Sequence, residues 1–324
     1  MSQFTSLPDE DMPFSDLNQP SPATLFRMRV YDQAASDLVR RAKEKLAPIL
    51  QLRDQAKIFK IRHARTVEDL LDLSPQATGL AKDAWHERMR EFGKDALPLI
   101  ADALRQIYRL DDRELRQRLY ILLLTELRWQ GASGVQALMQ CWENLDDFAR
   151  SLGCVVMGLA EWHDGLGLIW AFYQQARGSP QEQTFIGALW AMLDLGDARL
   201  ANELHEFLEH GTIFYELFGF LARAGQARSL GPLLDYAAER GSPGGFEPWI
   251  AAVGIAYRIG RAAVIESLAK YAAEAESDLD ETRRQAEEAA SMLLSNPPQM
   301  TRQVFPIFYR GLRADDVQGV LSRL

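Results

Sequence analysis

The chain has 324 residues, 47% of them apolar, and carries a net charge of −9 with a pI near 5.2. That length allows about two ordinary domains or one elongated repeat array, and the acidic field disfavours nucleic acid and anionic membrane while favouring basic or neutral partners. Two cysteines, Cys141 and Cys154, are too few for a disulfide framework and point to a reducing compartment.

The first 22 residues hold four prolines (Pro8, Pro13, Pro20, Pro22) and four acids (Asp9, Glu10, Asp11, Asp16). They leave no room for a periodic apolar face, so residues 1–22 are expected to form a disordered acidic tail. Phe4, Met12 and Phe14 give that tail a second reading, as a peptide arm. No basic start followed by an apolar stretch marks a secretory signal. The longest apolar runs, such as Leu119 to Leu124 and Ile250 to Tyr257, fall well short of the ~20 residues a bilayer span needs. A cytoplasmic protein with no membrane contact is expected.

Residues 23–94 follow as a basic N-terminal helical cap. Within 23–65, eleven Lys/Arg face four Asp/Glu. Leu38, Val39, Ala42, Leu46, Ile49 and Leu50 keep helical spacing, and Pro48 should kink or divide that helix. The basic face is expected to be solvated, to dock an acidic partner, or to lie against the acidic remainder. A nucleic-acid groove would need interleaved aromatics, and only Tyr31 and Phe59 are present. Pro75, Gly79 and Gly93 interrupt two short helices before residue 95.

From there the chain is helix after helix, with no sustained period-two alternation. Ser179-Pro180-Gln181-Glu182, Asp111-Asp112-Arg113-Glu114 and Asp278-Leu279-Asp280-Glu281 are helix-start signatures, and Gly178, Gly211 and Gly241 stand where left-handed C-caps are wanted. The chain also repeats. Leu195-Gly196-Asp197-Ala198-Arg199, Ala224-Gly225-Gln226-Ala227-Arg228 and Ile259-Gly260-Arg261-Ala262-Ala263 share one turn formula, with weaker copies at Trp129-Gln130-Gly131-Ala132 and Trp162-His163-Asp164-Gly165. Each interval between glycines holds two helical stretches. The second is one-sided, as in Leu200, Leu204, Phe207, Leu208, or Leu230, Leu233, Leu234, Ala237, or Val264, Leu268, Tyr271. The first, as in Trp249 to Tyr257, is apolar on more of its circumference. This pattern predicts an all-α fold: an α-α superhelix, or solenoid, of antiparallel helix pairs over 95–275. The basic segment caps one end, and residues 276–324, with Pro297-Pro298, cap the other.

On the turns Gly196-Asp197-Ala198-Arg199 and Gly225-Gln226-Ala227-Arg228, and the Leu/Ala-rich helix after each, the chain resembles the HEAT-repeat family in its short bacterial form. The resemblance implies second helices that line an inner concave surface. Tetratricopeptide-like and pentatricopeptide-like arrays share the paired helices and Gly turns, and stay open as repeat types.

The sequence matches no catalytic motif closely. In His205-Glu206-Phe207-Leu208-Glu209-His210 the histidines are five apart, about 140° round a helix, where a zinc helix needs four. Gly131-Ala132-Ser133-Gly134 is no nucleophile elbow. Gly165-Leu166-Gly167 lacks the rest of a dinucleotide fingerprint, and Cys141 has no adjacent basic activator. No metal, no cofactor and no catalytic residue is therefore assigned. An enzyme on a HEAT-like scaffold, using His163, Asp164 or His205, is carried as an alternative, because fold alone does not decide chemistry. So is a regulator that self-associates through residues 27–65. The leading expectation is a non-catalytic scaffold or adaptor. Its inner face would bind a basic or neutral protein or peptide through Trp170 and Tyr173, as exposed aromatic anchors, and through Glu206, Glu209, Asp235, Glu239 and Glu266.

Overall fold

The computed structural model describes residues 19–30, 54–178, 183–242, 244–274 and 279–309. Most of the N-terminal tail, with Phe4, Met12 and Phe14, lies outside them. So do the Leu38–Leu50 helix with Pro48, the Ser179–Glu182 signature and the Asp278 cap. Among the described residues there is no strand, and no helix is long and apolar enough to cross a membrane.

They fall into two compact units. The first, within 22–197, holds α1 (Pro22–Val30), α2 (residues 54–62), α3 (Val67–Asp72), α4 (Leu80–Phe92), α5 (Leu97–Ile107), α6 (Arg113–Trp129), α7 (Gly131–Cys141), α8 (Asp147–Leu159), α9 (Leu166–Ala176) and α10 (Phe185–Asp194). The second, residues 198–309 with 19–21, holds α11 (Arg199–Glu209), α12 (Leu217–Ala224), α13 (Leu230–Arg240), α14 (Phe246–Ile259), α15 (Arg261–Ala273), α16 (Leu279–Ser295) and α17 (Gln299–Val304).

Local chemistry explains the helix starts. Asp112 caps α6 by accepting from Leu115 N at 3.0 Å, as its sequence implies, and Asp146 caps α8 by accepting from Ala149 N at 2.9 Å. Thr66 and Asp69 close a reciprocal capping box on α3. The five repeat glycines do separate consecutive helices, from α6/α7 to α14/α15. Their backbones are not equivalent, however. Gly131, Gly196 and Gly260 are left-handed, with φ of 55°, 68° and 84°. Gly165 closes a short 3₁₀ turn at φ −79°, and Gly225 is extended at φ −59° and ψ 154°. A 3₁₀ turn takes part in the reversal in those two copies; in the first the left-handed residue is Glu161, at φ 54°, and in the second none of the described residues of the turn has a positive φ. Of the proposed C-cap glycines, Gly211 and Gly241 are left-handed and Gly178 is not.

Alternate helices pack on one another. In the first unit α6 lies on α8, α8 on α10, and α5 on α7; in the second α12 lies on α14, α11 on α13, and α13 on α15. The first helices of the pairs are surrounded. Phe185 to Met192 of α10 are all buried, as are Ile250 to Val253 of α14. α11 is one-sided, with Leu200, Leu204, Phe207 and Leu208 inward. Of the tryptophans, Trp85, Trp142 and Trp190 are in the core and the other four are half-buried.

The α8–α10 contact depends on absent side chains. A Cβ at Gly187 would overlap the Ser151 carbonyl oxygen, and one at Gly158 would come within 2.7 Å of Ala191 Cα. Gly187→Ala must push two backbones apart, and a loss of about 1–3 kcal/mol is expected. Urea unfolding followed by tryptophan fluorescence reads it, and a loss below ~0.5 kcal/mol would mean the contact yields freely.

α1 packs against α6, α8 and α10, with Ala23, Thr24, Phe26 and Arg27 buried. The expectation of a solvated or free basic face therefore fails at Arg27. Its guanidinium makes a two-pronged bond to Asp194, at 2.8 and 2.9 Å. The basic segment lies, at this residue, against the acidic remainder of its own chain, so Arg27 is not available to dock another copy.

Candidate functional site

The predicted anchors and the predicted acids do not belong to one unit. Trp170 and Tyr173 lie on α9 in the first, whereas Glu206, Glu209, Asp235, Glu239 and Glu266 lie on α11, α13 and α15 in the second. Tyr173 is fully buried, which corrects the expectation that it is an exposed anchor. Ile169, Phe172, Tyr173 and Ala176 are buried at i, i+3, i+4 and i+7, so Tyr173 belongs to the stripe that α9 presents to the core. Half-buried Trp170 stacks on it, with ring centroids 5.4 Å apart.

The acids are better placed. Glu209, Asp235, Glu239 and Glu266 are exposed and Glu206 is half-buried. Asp235 and Glu239 are four residues apart, on one side of α13. Across from them stands Tyr271 of α15, 36% exposed, whose hydroxyl donates to Asp235 Oδ2 at 2.7 Å. Its ring lies directly over Gly231, where a Cβ would overlap it. That missing side chain lets α13 and α15 approach closely enough for the bond. The Tyr271 phenol is pushed up to about 12, first by its bond to Asp235, then by burial, then by the charges of Asp235, Glu274 and Glu239. Glu274 thus joins the cluster, which sequence periodicity alone did not show. Glu266 precedes Tyr271 by five residues, about 140° round the helix, so it faces elsewhere.

On α11, Glu209 Oε1 lies 3.0 Å from His205 Nε2, while His205 Nδ1 meets the Ser229 hydroxyl at 3.1 Å. Burial holds the His205 pKa below the usual value. The Arg228 charge adds to this, and Glu209 and Glu206 oppose it. Arg228 also bonds Asn202 Oδ1 at 2.9 Å, so a cation is interposed beside the α11 acids. The acidic cluster is therefore centred on Tyr271, not on α11.

The residues weighed for catalysis are scattered. His163 and Asp164 are exposed in a 3₁₀ turn, with His163 Nδ1 meeting the Glu161 carbonyl at 2.9 Å. His205 is buried in the other unit. His210 is exposed at the C-cap of α11, with Nδ1 on the Glu206 carbonyl at 2.7 Å. No group of three or more His, Cys, Asp or Glu among the described residues could hold a metal ion. Cys141 and Cys154 are buried, and burial pushes the Cys141 thiol up to about 11, away from a reactive thiolate.

One acid–base pair was not visible in the sequence. His86 of α4 and Glu126 of α6 share a short Nδ1–Oε1 hydrogen bond at 4% and 1% exposure. Trp85 and Trp129 flank the imidazole edge-on, at 5.5 and 5.0 Å, and Arg90 covers Trp129 at 4.0 Å. Burial pushes Glu126 up to about 8, against the charges of Arg90 and Lys82. Burial, with the same two cations, drives His86 well below its usual value. The pair can hold a proton, but its atoms are walled off from solvent, which suits a structural role.

No protein-family model, no curated protein and no solved structure matches this chain.

Proposed function

We propose that the protein is a non-catalytic interaction scaffold that binds a basic protein or peptide on the face formed by α13 and α15. One observation carries this reading: exposed Tyr271 stands among Asp235, Glu239 and Glu274 on adjoining helices. An aromatic ring offers apolar area at little entropic cost, and carboxylates around it select a cationic side chain. In the finer reading the paired helices are HEAT-like repeats stacked as a superhelix, with α11, α13 and α15 as its inner row. The alternation of packed helices within each unit supports it. A cytoplasmic setting and the absence of a cofactor belong to the same reading.

The test is a panel of lysine/arginine-rich and glutamate-rich peptides, titrated at two salt concentrations. Basic peptides should bind, more weakly in high salt. Asp235→Lys with Glu239→Lys should weaken them at least about tenfold, since like charges would then face the partner. Unchanged affinity in that double variant would sink the proposal.

A further inference from the structure

A second surface of the same unit has the opposite charge. α12, α14 and α17 line an open pocket of about 320 Å³, to whose wall three different helices bring Arg223, Arg258 and Arg302. Gly254 lines it too, and the lack of a side chain there lets α14 approach Ala222 and Thr301. Arg223 and Arg302 flank the ring of Tyr309, with guanidinium carbons 5.6 and 5.7 Å from its centroid. Arg258 is oriented by a bond from Nη2 to the Gly225 carbonyl at 2.6 Å. Tyr257 also lines the pocket, its hydroxyl donating to the Leu294 carbonyl at 2.7 Å. No carboxylate among the described residues pairs with any of the three arginines, in a chain with nine more negative than positive charges. Burial lowers the Arg258 pKa and the charge of Arg223 adds to this, against Tyr309; arginine nonetheless stays charged. Three cations lining one pocket, with no carboxylate among the described residues paired to them, repel one another, and a bound anion relieves that repulsion.

We propose that this pocket binds a small phosphate monoester, its dianionic head held by Arg223, Arg258 and Arg302. Three planar forks match the three free oxygens of a phosphate, and a dianion offsets more of the charge than a carboxylate does. The volume is at the lower end of small-molecule sites, which run about 300–1,000 Å³. The site is independent of the acidic face around Tyr271.

Calorimetric titration with inorganic phosphate, with acetate as the comparison, tests it. Phosphate should bind saturably and acetate at least about tenfold more weakly. Arg223→Gln and Arg302→Gln alter exposed side chains and should leave the fold intact by circular dichroism. Each should weaken phosphate about tenfold or more, as expected for a lost charge-assisted hydrogen bond. Arg284→Gln, on α16 and paired with Glu281 and Glu288, should change nothing. The proposal is overturned by no saturable phosphate binding, by acetate binding as tightly, by unchanged affinity in the Arg223→Gln/Arg302→Gln double variant, or by an equal loss in Arg284→Gln.

Discussion

Arg27→Ala is expected to cost the first unit about 3 kcal/mol, the penalty for removing one member of a buried, two-pronged ion pair, with Arg128 still acting on Asp194. The side chains of Arg27 and Asp194 are 4% and 17% exposed, so solvent screens them little. Alanine also removes the guanidinium from the Trp190 ring, whose centroid lies 4.4 Å away. The Trp190 indole still donates to Thr24 Oγ1 at 2.8 Å. Arg27→Lys should recover only part of the loss, because an ammonium cannot reproduce the two parallel bonds. Arg27→Met with Asp194→Leu should recover part of it, because both charges of the pair go together, although Arg128 then loses the Asp194 charge beside it. Urea unfolding followed by tryptophan fluorescence reads all three. A loss below ~1 kcal/mol for Arg27→Ala would show that α1 contributes little to this unit.

The same pair shows where sequence reading stops. Spacing between glycines located the helix pairs, because a chain reversal needs its residues close together in sequence. Leu200, Leu204, Phe207 and Leu208 came out buried because a one-sided apolar stripe has one way to satisfy water. For Arg27 the sequence leaves a solvated face, a partner-docking strip and a contact with the acidic remainder open, because periodicity names no partner and Asp194 is 167 residues away. Likewise Arg223, Arg258 and Arg302 sit on three helices, and nothing local announces that they line one pocket. Tyr173 failed in the other direction. Its neighbours Ile169, Phe172 and Ala176 spell a core stripe, and that position decides its burial over its aromatic character. In the candidate site, Asp235 and Glu239 were legible as one helix face. Their relation to Tyr271 was not, since it depends on how closely α15 approaches Gly231.

His86 and Glu126 should make stability depend on pH in a shape that survives any assignment of the shared proton. Folded, the pair holds one proton across the window of interest. Glu126 is raised from its ordinary 4.5 to about 8, so its contribution is present below 4.5 and lost as pH climbs toward 8. His86 is lowered from 6.5, so its contribution is present above 6.5 and lost as pH falls. Between 4.5 and 6.5 the unfolded chain also holds one proton on these two groups, and the slopes cancel. Above 6.5 the unfolded pair has released its last proton while the folded pair keeps one. Stability should then drop about 2 kcal/mol between pH 6.5 and 8. Below 4.5 the unfolded pair binds a second proton, and stability drops again. Glu126→Gln keeps a hydrogen-bonding group against neutral His86 but cannot ionise, so the alkaline fall should vanish and the acid fall should begin near 6.5 instead of 4.5, where unfolded His86 alone takes up a proton. His86→Ala should be worse throughout, costing about 2–4 kcal/mol, because Glu126 loses its hydrogen-bond partner and a cavity opens between Trp85 and Trp129. Urea unfolding at half-unit pH steps separates the two variants. An alkaline limb that persists in Glu126→Gln would assign it to other groups and remove the shared-proton account of this pair.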